Sequence, residues 1–115
     1  MRSNKLYLTD ISEAAQAIER FLSGYEKTDF INDDLRQSGV LQKLIIIGEA
    51  ANRLPNTFKA NYTAIPWRDI VAFRNLAIHA YFSIDIDIVW ETAISDVPIL
   101  QKQIEAILAR DLGEN

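Results

Sequence analysis

Cysteine is absent from this chain of 115 residues, and with it go disulfides, thiolate zinc sites and thiol nucleophiles. Glycine and proline are scarce, at four and three residues, and no glycine-rich loop is present that could cradle a nucleoside triphosphate. Histidine occurs once, as His79. No apolar run is long enough for a membrane helix, and the opening Met1-Arg2-Ser3-Asn4-Lys5-Leu6-Tyr7 lacks the apolar stretch of an export signal. A cytoplasmic protein with no membrane contact is expected. A basic surplus is also missing: 12 Lys and Arg face 16 Asp and Glu, for a formal net charge of −4. Proteins that bind nucleic acid without specificity draw affinity from neutralising phosphates and usually carry such a surplus. Any nucleic-acid contact by this chain must come from a local cluster, or from a surface assembled by two copies.

What is there is a normal supply of core-forming residues. The chain is 49% hydrophobic and 24% charged, which suits a folded globular protein rather than a disordered one. Its length suits one domain over residues 1–115. Apolar residues recur at helical spacing almost throughout. Thr9 or Asp10 can cap a first helix, with Glu13 placed after Asp10 as in a capping box. Ile11, Ala15, Ile18 and Leu22 form its stripe, and Gly24 stops it. A second helix is expected from about Thr28 to Leu54, before Pro55. Its segment Leu44-Ile45-Ile46-Ile47 is apolar all round and should be touched on several sides. The β-branched residues there could equally suit a strand, and the helical spacing on either side favours helix. Gly48 costs that helix about 1 kcal/mol against alanine, a cost that close approach of a neighbouring helix would explain.

Pro55 to Thr63 reads as a polar connection with one possible helical turn. Pro66 suits the first position of a further helix, ending near Phe82. A last helix starts around Asp85 or Asp87 and continues through Val89, Trp90, Val97 and Ile104. Pro98 should kink or restart it, because proline lacks a backbone donor and crowds the preceding turn. The alternation of Ile84, Ile86 and Ile88 looks strand-like, but with no partner strand it reads as a turn into this helix. The expected fold is all-α, an up-and-down bundle of four to five helices.

One stretch carries chemistry: Arg74-Asn75-Leu76-Ala77-Ile78-His79-Ala80-Tyr81. At about 100° per residue, Arg74 and Tyr81 point almost the same way, inside an apolar arc of Ile70, Phe73, Leu76, Ala77 and Ile78. Asn75 and His79 are one turn apart and share a more polar face. Arginine's reach can close the gap between the two stripes. A polar stripe within an apolar surface is most easily satisfied at an interface with another chain. Such a set suits phosphodiester cleavage without a metal. Histidine can move a proton to or from a ribose hydroxyl, and arginine can grip a phosphate and stabilise its developing charge. Asparagine can fix the imidazole tautomer or touch substrate, and tyrosine can donate to phosphate or stack on a base. By spacing alone, a lone arginine and histidine on one helix are more often structural than catalytic.

The pattern Arg-x-x-x-x-His-x-Tyr, with a polar residue directly after the arginine, resembles the signature of the HEPN superfamily and, within it, the HepT-like branch. Three further stretches fit that branch in order and spacing: Ile46-Ile47-Gly48-Glu49-Ala50-Ala51, Ile65-Pro66-Trp67-Arg68-Asp69-Ile70-Val71, and Val89-Trp90 followed by Val97-Pro98. The resemblance covers nearly the whole chain. It implies a helical homodimer in which Arg74 and His79 of both copies converge on one cleft, acting as a metal-independent endoribonuclease toxin that uses the ribose 2′-hydroxyl as nucleophile. It also implies a partner, an MNT-type nucleotidyltransferase antitoxin, that transfers AMP to Tyr81 and so blocks the cleft with bulk and negative charge. Asn75, Tyr81 and Glu49 are the supporting residues in this reading.

Other residues have plainer roles. Glu49 is a partner of Arg74 or another cleft residue, or else a helix-surface carboxylate. Trp67 and Trp90 are expected in the core or an interface, and Asp69 beside a helix dipole. Asp33-Asp34 and Asp85 with Asp87 are expected at solvated helix ends rather than around a metal, and no cofactor is expected. The competing functional reading is a non-catalytic helical subunit that binds the nucleotidyltransferase and presents substrate to it.

Overall fold

The computed structural model describes residues 3–80 and 83–110, and every regular element among them is helical. Helix α1 spans Asn4–Leu22, α2 Lys27–Ile31, α3 Asp34–Arg53, α4 Asn56–Lys59 and α5 Trp67–His79. Helix α6, Ile86–Glu91, passes through a π-helical turn, Thr92–Asp96, directly into α7, Val97–Arg110. Helix α3 lies between α1 and α5, and α7 packs on α1. The expected all-α bundle is therefore what forms, with α1, α3, α5 and the α6–α7 column as its main members.

The expected start of α1 is corrected. Ser3 is the cap, its Oγ accepting from the Leu6 N–H at 3.2 Å, so Thr9 and Asp10 lie inside the helix. Thr9 instead donates its hydroxyl to the Lys5 carbonyl at 2.8 Å. The earlier start adds Leu8 to the buried stripe of Ile11, Ala15, Ile18 and Leu22. Gly24, with φ of 78°, takes the left-handed conformation that lets the chain leave the helix.

The expected second helix has its outer limits nearly right but is broken near its start, at Asn32 and Asp33. Asp33 caps a new helix there: its Oδ1 accepts from the Arg36 N–H at 3.0 Å and its Oδ2 from the Tyr25 hydroxyl at 2.8 Å. The first bond satisfies a backbone donor left without an intrahelical partner at the new helix start, and the second holds the capping carboxylate in place. Beyond the break, Leu44 and Ile47 are buried, while Ile45 and Ile46 are only partly covered. The segment is helical and turns one side to the core.

Pro66 sits one place earlier than expected, as the cap residue before α5. Asp85 caps α6, its Oδ1 accepting from the Asp87 N–H at 2.9 Å, so the isoleucine alternation is indeed an entry into a helix. The disturbance at Pro98 appears as the π-helical turn, in which the Val97 N–H reaches back to the Thr92 carbonyl. A wider turn gives the pyrrolidine ring room without ending the column. Helix α5 ends at His79, with Ala80 as its C-cap, about three residues short of the end near Phe82 that the sequence suggested; Phe82 itself lies outside the described residues.

Residues from all the long helices share one core, in which Leu8, Ile11, Ile18, Phe30, Val40, Val89 and Ile104 are the largest fully buried side chains. Burying each contributes about 1.5–3 kcal/mol. Trp90 packs in this core against Phe30, the ring centroids 5.4 Å apart.

The contact that places α5 is at Gly48. A Cβ there would overlap the Cβ of Arg74, lie 2.8 Å from its Cγ and 3.2 Å from the Ile70 carbonyl oxygen. These atoms are close to the α5 backbone and cannot rotate away. Replacing Gly48 with alanine should therefore destabilise the protein. Overpacking costs about 1–3 kcal/mol, against a gain of at most about 1 kcal/mol in helix propensity. Urea unfolding should show a lower midpoint for Gly48→Ala; a higher one would mean that α3 and α5 can separate freely.

Candidate active site

Helix α5 presents different chemistry on each side. Only Ala77 of its residues is fully buried, while Ile70, Val71 and Phe73 are partly covered against the core. Leu76 and Ile78, on opposite flanks, are exposed. Arg68, Ala72, Asn75 and His79 succeed one another at helical spacing and are all exposed. Arg74 falls between the core side and this polar face.

The absence of a side chain at Gly48 sets the stem of Arg74 against α3, and the next residue, Glu49, receives its head. Nε of Arg74 donates to Oε1 of Glu49 at 3.0 Å, and Nη2 donates to the same oxygen. Nη1 donates to Oδ1 of Asn75 at 2.6 Å. Oε2 of Glu49 is taken by Arg53, whose Nε and Nη2 each approach to 3.2 Å. Glu49 is thus the partner of Arg74, one of the roles expected for it.

Guanidinium carries five N–H donors. Three are engaged by Glu49 and Asn75, leaving two for a ligand. The Arg74 side chain is 22% exposed, so it is restrained but reachable. Because Asn75 accepts through its oxygen, its amide N–H groups remain free to donate. His79 lies in the last turn of α5, exposed, about 7.5 Å further along the axis than Arg74. It has no hydrogen-bond or ion-pair partner among the described residues. Tyr81, the expected modification site, lies outside the described residues. Among the described residues no cluster of three or more His, Asp or Glu is arranged to hold a metal ion.

Sequence reasoning placed Asn75 with Arg74, left the role of Glu49 open, and missed Arg53. The signal was available: Arg53 stands four residues after Glu49, the helical ion-pair spacing. Lys59, close by on α4, gave none, because nothing in its local sequence links it to α5. Trp67 is half-buried, with its indole Nε1 donating to the Tyr62 carbonyl at 3.1 Å.

An all-helical bundle with an arginine and a histidine on one exposed helix is the arrangement of a HEPN-type protein. Residues 11–107 match the family model described as ribonuclease HepT-like, and the chain belongs to that family. It is 42% identical over 106 residues to the "Probable ribonuclease HepT" of Thermococcus cleftensis, covering 92% of this chain and 96% of the relative. Two relatives provisionally named as RNases are also similar. One, from Methanocaldococcus jannaschii, is 35% identical over 92% of this chain and 97% of its own length. The other, from Caldanaerobacter subterraneus subsp. tengcongensis, is 32% identical over 96% and 99%. No solved structure gives a significant match.

The Glu49 carboxyl is held below its ordinary pKa, chiefly by the hydrogen bond from Arg74 and further by Arg53, with desolvation opposing them. A carboxylate whose folded pKa is depressed contributes stability above its unfolded value of about 4.3, lost as pH falls through the folded one. Glu49→Gln should therefore flatten the acid limb of stability between about pH 4.3 and the pH of acid unfolding. Parallel curves for the two proteins in that range, followed by circular dichroism, would show that the pairing contributes nothing.

Proposed function

We propose that this chain is a metal-independent endoribonuclease, the toxin of a HEPN/MNT toxin–antitoxin pair, active as a homodimer in the cytoplasm. The observation that carries the reading is the geometry at Arg74. Its guanidinium is oriented by Glu49 and Asn75 with two donors left over, beside an exposed His79 that no other described residue engages. The names of the relatives point to the same class of substrate.

In this mechanism Arg74 grips the scissile phosphate of RNA and stabilises the charge that develops on it. His79 removes the proton of the ribose 2′-hydroxyl as that oxygen attacks phosphorus. The bond from phosphorus to the 5′-oxygen breaks, and an imidazolium returns a proton to the departing oxygen. The products are a 2′,3′-cyclic phosphate and a 5′-hydroxyl. A second copy brings a second Arg74 and His79 to the cleft, so one imidazole can act as base and the other as acid. The exposed Leu76 and Ile78 flanking the polar face of α5 are apolar surface that a second copy would cover. Tyr81, two residues beyond His79, is the acceptor of AMP from a nucleotidyltransferase antitoxin. An adenylyl group there adds charge and bulk where the RNA phosphate binds.

His79→Ala should lower RNA cleavage by about 10²–10⁴-fold, with cleavage by the parent unaffected by excess chelator. Both proteins should keep a dimer mass by light scattering. Undiminished cleavage by the variant, or a monomeric parent, would remove the assignment. Co-expression with a nucleotidyltransferase encoded beside it should add adenylyl mass to the peptide holding Tyr81. Intact-peptide mass spectrometry showing that peptide unchanged, with growth inhibition nonetheless relieved, would refute the modification.

A further inference from the structure

We infer that a groove between the C-terminal end of α3, helix α4 and the polar face of α5 holds the sugar–phosphate backbone of the RNA strand next to the scissile bond. This deepens the proposed function and rests on it. The groove has a volume of about 530 Å³, and its polar lining is Asn52, Asn56, Lys59, Arg68 and Asn75. It is continuous with the candidate site, because Asn75 lines it while accepting the hydrogen bond from Arg74. The same exposed face of α5 carries Arg68 at one end and His79 at the other, about 16 Å apart along the axis.

Charge distinguishes this groove from four other clefts of the described residues. Four other clefts each include carboxylates: Asp69 and Asp96 in one, Glu19 in the second, Asp10 and Glu13 in the third, Asp29 and Asp33 in the fourth. The groove beside Asn75 has two cations and no carboxylate in its lining. In a chain of net charge −4, that is the local cluster an RNA contact would require.

The two cations are also uncommitted. Arg68 is exposed and has no ion-pair partner among the described residues. Nζ of Lys59 donates to the Ala51 carbonyl at 2.9 Å, a neutral acceptor that leaves its charge unbalanced. Burial pulls the pKa of Lys59 below the ordinary lysine value, and an anion in the groove would favour the charged form again. The side-chain amides of Asn52, Asn56 and Asn75 offer neutral donors suited to phosphate and ribose oxygens. Amides and cations of this kind fix position and register without reading base identity.

The test uses the full-length parent, the double variant Lys59→Gln with Arg68→Gln, and a charge-matched control, Arg20→Gln with Lys102→Gln, on other surfaces. Binding of a fluorescent single-stranded oligonucleotide with 2′-O-methyl riboses, which resists cleavage, is measured across a salt series. The double variant should bind about tenfold more weakly at low salt. Its salt slope should fall by about 1.4, corresponding to two lost phosphate contacts at about 0.7 each. The control should stay within about twofold of the parent. Arg68→Gln alone, at an exposed residue with no ion-pair partner among the described residues, should show about half the change in slope and guards against misfolding of the double variant. A double variant indistinguishable from the control, with a parent that binds and cleaves RNA, overturns the groove and leaves the nuclease reading standing. A parent that neither binds nor cleaves any RNA overturns both.

Discussion

At Gly48 the backbones of α3 and α5 come too close for even a methyl group, because the first carbons of the Arg74 side chain fill that space. The contact does two things at once. It sets the distance between the helices, and it carries Arg74 past α3 in a fixed direction, so that its head meets Glu49 on the following residue. A guanidinium held between packed helices is costly unless its charge and donors are matched. Glu49 supplies the charge, Asn75 a second acceptor, and Arg53 engages the remaining carboxylate oxygen. The cluster is preorganised before any ligand arrives.

That preorganisation explains why α5 can be so poorly buried and still present a defined surface. Only Ala77 is fully enclosed, and apolar burial alone would hold the helix weakly. The Gly48 contact and the Glu49 pair add positional restraint on the same stretch of helix. The sides of α5 that face away from α3 are left open, one polar through Arg68, Asn75 and His79, the flanks apolar through Leu76 and Ile78. A helix with that distribution is better suited to meeting other molecules than to filling a core.

The acidity of the chain and its proposed substrate are reconciled by placement. Arg53, Lys59, Arg68 and Arg74 lie on α3, α4 and α5 at one region of the surface, with Glu49 the carboxylate between two of them. Carboxylates line the clefts elsewhere. On a chain of net negative charge, a cationic cleft without carboxylates favours entry of a strand there over the clefts that carboxylates line.

The amino-acid order by itself determined the helical class, the stripe of α1, the disturbance near Pro98, the placement of Arg74, Asn75 and His79 on one helix and, through the spacing on either side, the helical nature of Leu44 to Ile47. These follow from periodicity and spacing along one chain, which are local properties. It misplaced the start of α1 and missed the break at Asp33. Capping is a competition between nearby polar side chains, and Ser3 prevailed at one site while Asp33, with the Tyr25 hydroxyl as a distant helper, prevailed at the other. The tertiary structure alone decided that Glu49 belongs to Arg74 and that Lys59 and Arg68 share a groove with Asn75. Those pairs join helices separated by turns, and no repeat or spacing along a chain encodes which faces of two helices meet. Packing encodes it, and here the missing side chain of Gly48 is the feature through which packing acted.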